Sequence, residues 1–183
     1  NADEIISKKY IHSQNKQSFD ISLDLDKGLF FGRDLKLEEK NYLANHGYKV
    51  GNFVPIGKKR QEECWVISND VESLEHTFLV HNIKSELLKL GGRVETHIVQ
   101  KPDIIYTDNY GRKIAIEVET GKKFKFHKKR IKNKFEQLMN QYDNIVIVLS
   151  DSKKKKYYKD MFGDEISIVN RNELKHIIRS QIQ

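Results

Sequence analysis

Residues 101–122 read KPDIIYTDNYGRKIAIEVETGK, two apolar runs on either side of a turn. Residues 104–107 and 114–119 are rich in β-branched residues, which predicts two strands. The turn between them, residues 108–111, has the residue types of a tight turn, and Gly111 can adopt a positive φ. The stretch therefore predicts a pair of neighbouring strands on which the rest of the domain is built.

Three acidic residues occupy defined places on these strands. Asp103 enters the first strand, and Glu117 and Glu119 flank Val118 on the second. Side chains two positions apart on a strand point to the same face, so the two glutamates lie about 6.5–7 Å apart at their Cα atoms. Ile114, Ile116 and Val118 point to the opposite face. Carboxylates this close repel one another unless a cation lies among them, and oxygen ligands suit Mg²⁺ or Mn²⁺.

The same residues resemble the PD-(D/E)xK nuclease superfamily, which has the restriction-endonuclease-like fold. The matching residues are Pro102-Asp103 and, 14 positions after the aspartate, Glu117-Val118-Glu119. The third motif position is usually lysine in that superfamily and is Glu119 here, an ExE variant that also occurs within it. The resemblance covers about residues 71–170.

The resemblance implies a magnesium- or manganese-dependent endodeoxyribonuclease that hydrolyses phosphodiester bonds in DNA. Asp103 and Glu117 would bind the metal together with the backbone carbonyl of Val118. Glu119 would bind a second metal ion or position the attacking water. Lys134, on the inward edge of the following helix, is the candidate for the lysine that is missing from the strand.

Two accessory residues are also suggested by the resemblance. Some members use an acid on the helix that opens the domain, a role that Glu75 or Glu86 could fill, although a solvated acid is the simpler interpretation. Others use a glutamine on the helix after the acidic strand, where Gln137 lies.

Composition restricts the class of protein. The chain has 183 residues, of which 38% are hydrophobic and 32% charged, enough for one domain or a core domain with a small appendage. A single cysteine, Cys64, excludes an intramolecular disulfide and a cysteine-based zinc site, and favours a reducing, cytoplasmic setting. No apolar run approaches the ~20 residues of a membrane-spanning helix, so no membrane partner is expected. The chain begins with Asn1-Ala2 and not with Met, from which we expect a piece of a longer protein.

Positive charge is concentrated in the second part of the chain. Residues 1–70 contain 11 basic and 11 acidic residues, whereas residues 71–183 contain 22 and 15. Residues 122–134, directly after the acidic strand, contain eight cations and no acid. Because lysines bind phosphates, a DNA partner is expected, and the alternative is a charged surface that only maintains solubility. The cations predicted to contact DNA are Lys122, Lys123, Lys125, Lys128, Lys129, Arg130 and Lys132.

Periodicity divides the chain into two parts. Residues 1–70 predict a small α+β or winged-helix-like subdomain, with a helix over 35–45 and a hairpin over 48–68 that has a basic tip. Residues 71–183 predict a helix, three strands, and then helix, strand, helix, strand and helix. Asn69 or Asp70 is expected to cap the first of these helices, which runs over 71–90. The fold class is α/β (α+β), and the resemblance implies a restriction-endonuclease-like mixed sheet flanked by helices over 71–183.

Two other functions remain open. The same fold could act without catalysis, as a DNA-binding module of a larger plasmid replication, conjugation or ATPase-linked protein with an ATPase partner. The glutamate in place of the strand lysine favours this alternative. A winged-helix regulator built around residues 35–68 is the third hypothesis. Many members of the superfamily act as dimers, so a homodimer is a further alternative, although the sequence identifies no dimer surface.

Overall fold

A computed structural model describes residues 21–69, 71–97, 101–120, 128–142 and 144–182. Over these residues the chain forms an α+β structure with two β-sheets and five α-helices. The strands are β1 Leu29–Phe31, β2 Tyr48–Phe53, β3 Glu62–Ile67, β4 Arg93–Thr96, β5 Ile104–Thr107, β6 Lys113–Glu119, β7 Ile145–Leu149 and β8 Ser167–Asn170. The helices are α1 Leu37–Asn45, α2 Leu74–Leu88, α3 Lys128–Met139, α4 Lys155–Phe162 and α5 Leu174–Ile182. Short 3₁₀ turns cover Leu25–Lys27, Gly32–Asp34 and Ser152–Lys154.

The larger sheet has the strand order β4-β5-β6-β7-β8. Strands β4, β5 and β6 are antiparallel, whereas β7 and β8 run parallel to β6. The C-terminal ends of the three parallel strands and the N-terminal end of β5 therefore lie at one edge of the sheet, which we call the carboxyl edge. The predicted order of elements over 71–183 is confirmed, and Gly111 has the expected positive φ of 81° in the turn before β6.

Helices cover both faces of this sheet. On one face, Phe78, Ile83 and Leu87 of α2 pack with the inward side chains of β5 and β6. On the other face, Phe135 of α3 and Tyr158 of α4 pack with Ala115, Ile147 and their neighbours. The predicted alternation along β6 is confirmed, because Ile114, Ile116 and Val118 belong to the first core and Ala115 to the second. The face with the acids is thus a second covered face, and Glu117 is completely buried beneath α3.

The smaller sheet, with the order β1-β3-β2, is entirely antiparallel and shares a core with α2. The Phe53 ring stacks on the Phe78 ring with centroids 4.6 Å apart. The backbone N–H of Ile56 donates a hydrogen bond to the buried Asn82 Oδ1 at 2.8 Å. Helix α2 therefore connects the small sheet to the large one. The predicted helix and hairpin over 35–68 are present as α1, β2 and β3, and the winged-helix interpretation stays a prediction.

The start of α2 differs from the prediction. Its N-cap is Ser73, whose hydroxyl accepts a hydrogen bond from the backbone N–H of His76 at 3.3 Å. Asn69 instead accepts from the backbone N–H of Glu72, three residues on, and so forms a separate turn before the helix. An N-cap oxygen must reach the N–H groups of the first helical turn, which Ser73 does and Asn69 does not. Asp70 lies outside the described residues.

Candidate active site

The candidate site lies at the carboxyl edge, where β5 begins. Ile104 pairs with Ile116 in the antiparallel register of β5 and β6, which brings Asp103 next to Glu117. The backbone N–H of Val118 donates to Asp103 Oδ2 at 2.7 Å. Asp103 is 8% exposed and Glu117 is 0% exposed, so two carboxylates meet in a place that water hardly reaches.

A histidine on α2 contacts the aspartate. His76 Nε2 lies 3.2 Å from Asp103 Oδ2, and His76 Nδ1 lies 3.7 Å from Glu72 Oε2. Glu75 on this turn of helix was a predicted accessory residue, whereas the neighbouring histidine was not predicted from the sequence. A signal existed, since His76 precedes Leu79 by three positions and Ile83 by seven and thus continues the inward stripe of α2.

A lysine on α3 contacts Glu117. Lys134 Nζ lies 2.6 Å from Glu117 Oε2. The stripe formed by Ile131, Phe135 and Leu138 holds α3 over the acidic face of β6, and Lys134 lies on the edge of this stripe. The structure therefore brings together the acid and the lysine that the helical spacing singles out, while the catalytic role of the lysine stays a prediction.

The third predicted acid is held by α4. Tyr158 donates its hydroxyl hydrogen to Glu119 Oε2 at 3.1 Å, and the tyrosine ring is completely buried. Tyr158 was not predicted from the sequence as a neighbour of the site. Its position four residues before Phe162, on the inward face of α4, was the available signal.

Burial and neighbouring charges set the acidities of the carboxylates. Burial alone would raise the pKa of Asp103, but the hydrogen bond and charge of His76, Lys134 and the N–H of Val118 hold it below its ordinary value. Burial and the nearby Asp103 raise the pKa of Glu117 well above its ordinary value, although Lys134 opposes this. Burial likewise raises the pKa of Glu119. Asp103 is therefore the ionised member of the pair, and Glu117 retains its proton to higher pH.

The neighbouring carboxylates raise the pKa values of both His76 and Lys134. Burial lowers the pKa of His76, but the hydrogen bond and charge of Asp103 outweigh it and raise the pKa overall. Burial also opposes the charge on Lys134, yet the charges of Glu117 and Asp103 raise its pKa. Lys134 thus places positive charge among the acids, and His76 adds to it when protonated.

The raised pKa values make stability depend on pH. Glu117 has an ordinary pKa of 4.5 in the unfolded chain and a higher pKa in the folded protein. Between these two pKa values, the folded chain holds the proton more often than the unfolded chain does. The free energy of unfolding of the metal-free protein is therefore expected to fall as pH rises through this interval. The pKa of His76 is also raised, so its contribution to the free energy of unfolding likewise falls as pH rises above 6.5. The pKa of Asp103 is lowered, so its stabilising contribution is lost as pH falls below about 3.8.

Urea unfolding at a series of pH values with a chelator present measures this dependence. Glu117→Gln should make the decline above pH 4.5 shallower, leaving the part that Glu119 contributes, and His76→Gln should make the decline above pH 6.5 shallower. An unchanged pH slope in Glu117→Gln would contradict the assignment of the raised pKa to this residue.

The remaining predicted residues lie around this centre. Lys128, Lys129, Arg130 and Lys132 are exposed on α3, as is Gln137. Glu75 is partly buried on α2, beside the histidine that reaches Asp103, and its accessory role stays a prediction. Lys122, Lys123 and Lys125 lie outside the described residues.

A metal site is suggested by one atom and not by a complete ligand set. Glu117 Oε1 is buried and has no hydrogen-bond partner within the described ranges. In the same part of the chain, no three His, Cys, Asp or Glu side chains form a group that could hold a metal ion by themselves. The expected metal therefore stays a prediction.

The fold and the site together define an α+β protein with a buried carboxylate cluster held by His76, Lys134 and Tyr158. No protein family model, curated protein or solved structure matches this chain. None of the described helices is long and apolar enough to cross a membrane. Function must therefore be inferred from the residues of the site and their contacts.

Proposed function

We propose that this protein is a Mg²⁺- or Mn²⁺-dependent nuclease with a restriction-endonuclease-like core that hydrolyses phosphodiester bonds in DNA. The observation that supports this best is the meeting of Asp103 and Glu117 at the carboxyl edge, in the strand context expected from the motif. Buried acids whose pKa values diverge are typical of functional sites. Glu117 Oε1 is buried and has no hydrogen-bond partner among the described residues, so a bound ion could satisfy it.

The arrangement of elements supports the same proposal. A helix, an antiparallel meander of three strands and two further parallel strands with crossover helices is the succession that the resemblance implies. The acids lie on the second and third of these strands, as the motif requires.

The site offers oxygen ligands of the type that a hard divalent ion takes, from two carboxylates and one backbone carbonyl. A buried carboxylate oxygen without a partner costs free energy unless an ion or water satisfies it. Asp103 and Glu117 would hold the ion, with the carbonyl of Val118 and with Glu119 nearby, since oxygen ligands suit Mg²⁺ and Mn²⁺. When bound, such an ion acidifies a water molecule and neutralises charge on the phosphate.

The protein's own residues have distinct roles in this proposal. His76 and the N–H of Val118 orient Asp103, and Tyr158 orients Glu119. The Lys134 side chain is 44% exposed, so a phosphate oxygen can reach its ammonium group from solvent. The raised pKa of Glu117 means that the ion must displace a proton, and its affinity should therefore increase with pH.

The proposal is tested by incubating supercoiled and linear DNA with the protein and Mg²⁺ or Mn²⁺. We expect nicking or cleavage that needs the metal and that stops when a chelator is added. Calorimetry of Mg²⁺ binding at a series of pH values should show binding that tightens as pH rises above 4.5. Cleavage that persists in the chelator would refute the metal-dependent mechanism.

A second candidate function is a DNA-binding module that uses the same fold without catalysis. Two observations favour it: the direct contact of Lys134 with Glu117, which compensates the acid without an ion, and the glutamate at the position of the strand lysine. Salt-sensitive DNA binding with no heat of Mg²⁺ binding would support this function in place of the nuclease.

A further inference from the structure

We propose that the tip of the β2–β3 hairpin, residues 58–60, is a second phosphate-binding site, which contacts the same DNA duplex at the carboxyl edge of the large sheet. We call these residues, Lys58, Lys59 and Arg60, the hairpin tip. The inference rests on the proposed function only in that the duplex is the one presented to Asp103 and Glu117. The hairpin belongs to the N-terminal part of the chain, far in sequence from the acids.

The root of the hairpin is anchored next to the end of β8. The backbone N–H of Gly57 donates to Asn172 Oδ1 at 3.2 Å. Asn172 follows the last residue of β8 by two positions, and its own backbone N–H donates to Asn170 Oδ1. Gly57 has a φ of 78°, a conformation that glycine adopts without strain, so the chain can turn at this anchor.

A second anchor ties the same root to the core. The N–H of Ile56, one residue earlier, donates to the buried Asn82 on α2, and the Ile56 side chain is itself buried. The backbone N–H of Lys58 donates to the carbonyl of Pro55 at 3.0 Å, which closes the turn. The backbone N–H groups of Ile56 and Gly57 thus hold the root of the hairpin in place.

The strand order places this root on the same edge as the acids. Because β6, β7 and β8 are parallel, Glu119 at the end of β6 and Asn170 at the end of β8 both lie at the carboxyl edge. They are two strands apart, about 9.5 Å at the usual strand spacing. Phosphates of one DNA strand repeat every ~3.4 Å along the helix axis, so one duplex can extend past both strand ends.

The hairpin tip has the charge that such a contact needs. All three side chains are exposed, and within the described residues none of them forms an ion pair with an acid. Further cations follow the end of β7 at the same edge, at Lys153–Lys156. Of these, Lys155 also pairs with Glu173 at 3.0 Å, so part of the positive charge is bound internally.

The alternative is a solvated basic loop with no ligand, which is the usual role of an exposed charge run. The two interpretations differ in whether DNA affinity depends on where a positive charge is removed. A phosphate contact at the hairpin tip requires these particular cations, whereas a general electrostatic attraction depends only on the total charge.

Two double variants with the same charge change separate these interpretations. Lys58→Gln with Arg60→Gln removes charge from the hairpin tip. Arg93→Gln with Lys113→Gln removes the same charge from the starts of β4 and β6, at the opposite edge of the sheet. Both pairs of positions are exposed, so thermal unfolding should stay close to that of the unsubstituted chain.

Binding is measured by fluorescence anisotropy on a labelled 30-base-pair duplex, using the full chain with a chelator so that cleavage does not interfere. We expect the hairpin-tip variant to bind about 5–50-fold more weakly at 0.1 M salt and to reduce the slope of log affinity against log salt by about one to two. The opposite-edge variant should change affinity less than about twofold. Equal losses in the two variants, or no loss in the hairpin-tip variant, would overturn the proposal.

A parallel cleavage assay with Mg²⁺ separates this inference from the proposed function. Weakened binding in the hairpin-tip variant, with no cleavage by the unsubstituted chain, supports this contact and counts against the nuclease. Metal-dependent cleavage, with unchanged binding in the hairpin-tip variant, supports the nuclease and counts against this contact. A chain that binds no duplex at low salt overturns the contact outright.

Discussion

Glu117→Gln is expected to reduce metal-dependent DNA cleavage by at least about 10²–10³-fold. A catalytic metal contributes several kcal/mol of transition-state stabilisation, and each 1.36 kcal/mol is a factor of ten in rate. Glu117 is the most deeply buried acid of the site, and its Oε1 atom has no hydrogen-bond partner among the described residues. The amide has the same shape as the acid but is a far weaker metal ligand. Single-turnover cleavage of supercoiled DNA at saturating protein measures the loss without interference from product release.

The control for this substitution is Glu136→Gln on α3. The Glu136 side chain is 51% exposed. Its Oε1 atom forms a surface ion pair with Lys132 Nζ at 3.8 Å. Its replacement should leave cleavage within about twofold, because surface pairs contribute little. Glu117→Gln should also remain folded at pH 8, since it removes a buried acid whose ionisation is unfavourable there. A folded Glu117→Gln protein that cleaves at half the normal rate or more would show that this carboxylate holds no catalytic metal.

Phe135→Ala is expected to lower the free energy of unfolding by about 3–5 kcal/mol, the usual cost of truncating a buried phenylalanine. The Phe135 ring is completely buried, and its centroid lies 4.9 Å from that of Phe162. It attaches α3 to the second core beside α4, and it adjoins Lys134 in sequence. For a chain of this size the loss corresponds to a fall in the unfolding temperature of about 6–20 °C.

The matched control for Phe135→Ala is Asn133→Ala, on the exposed side of the same helix. That substitution should change the free energy of unfolding by less than about 0.5 kcal/mol. Urea unfolding followed by circular dichroism measures both variants. If Phe135→Ala cost under about 1 kcal/mol, α3 would not be packed over β6 as described, and the position of Lys134 would lose its support.

The strands that hold the acids were predictable to within one residue. β5 occupies the predicted residues 104–107, and β6 starts one residue before the predicted 114–119. Alternating side chains and the turn residues before β6 are local properties, which neighbouring residues determine. The position of Lys134 on the edge of a helical stripe was predictable for the same reason.

The partners of the acids were not predictable with equal ease. His76 is 27 residues from Asp103, and Tyr158 is 39 residues from Glu119. A helical stripe shows that these side chains point inward, but not which strand they meet. That depends on where each helix crosses the sheet, which the packing of both cores decides.

By itself the sequence determined the order of the elements, the faces of β6 and the set of acids that share one face, because chain-local stereochemistry governs all three. Tertiary structure decided that α3 and α4 cover the acidic face. It also decided that His76 contacts Asp103, that Lys134 contacts Glu117 and that the hairpin root meets the end of β8. These contacts join residues that are distant in the chain, and only the folding of helices onto a shared sheet brings such residues within hydrogen-bonding distance.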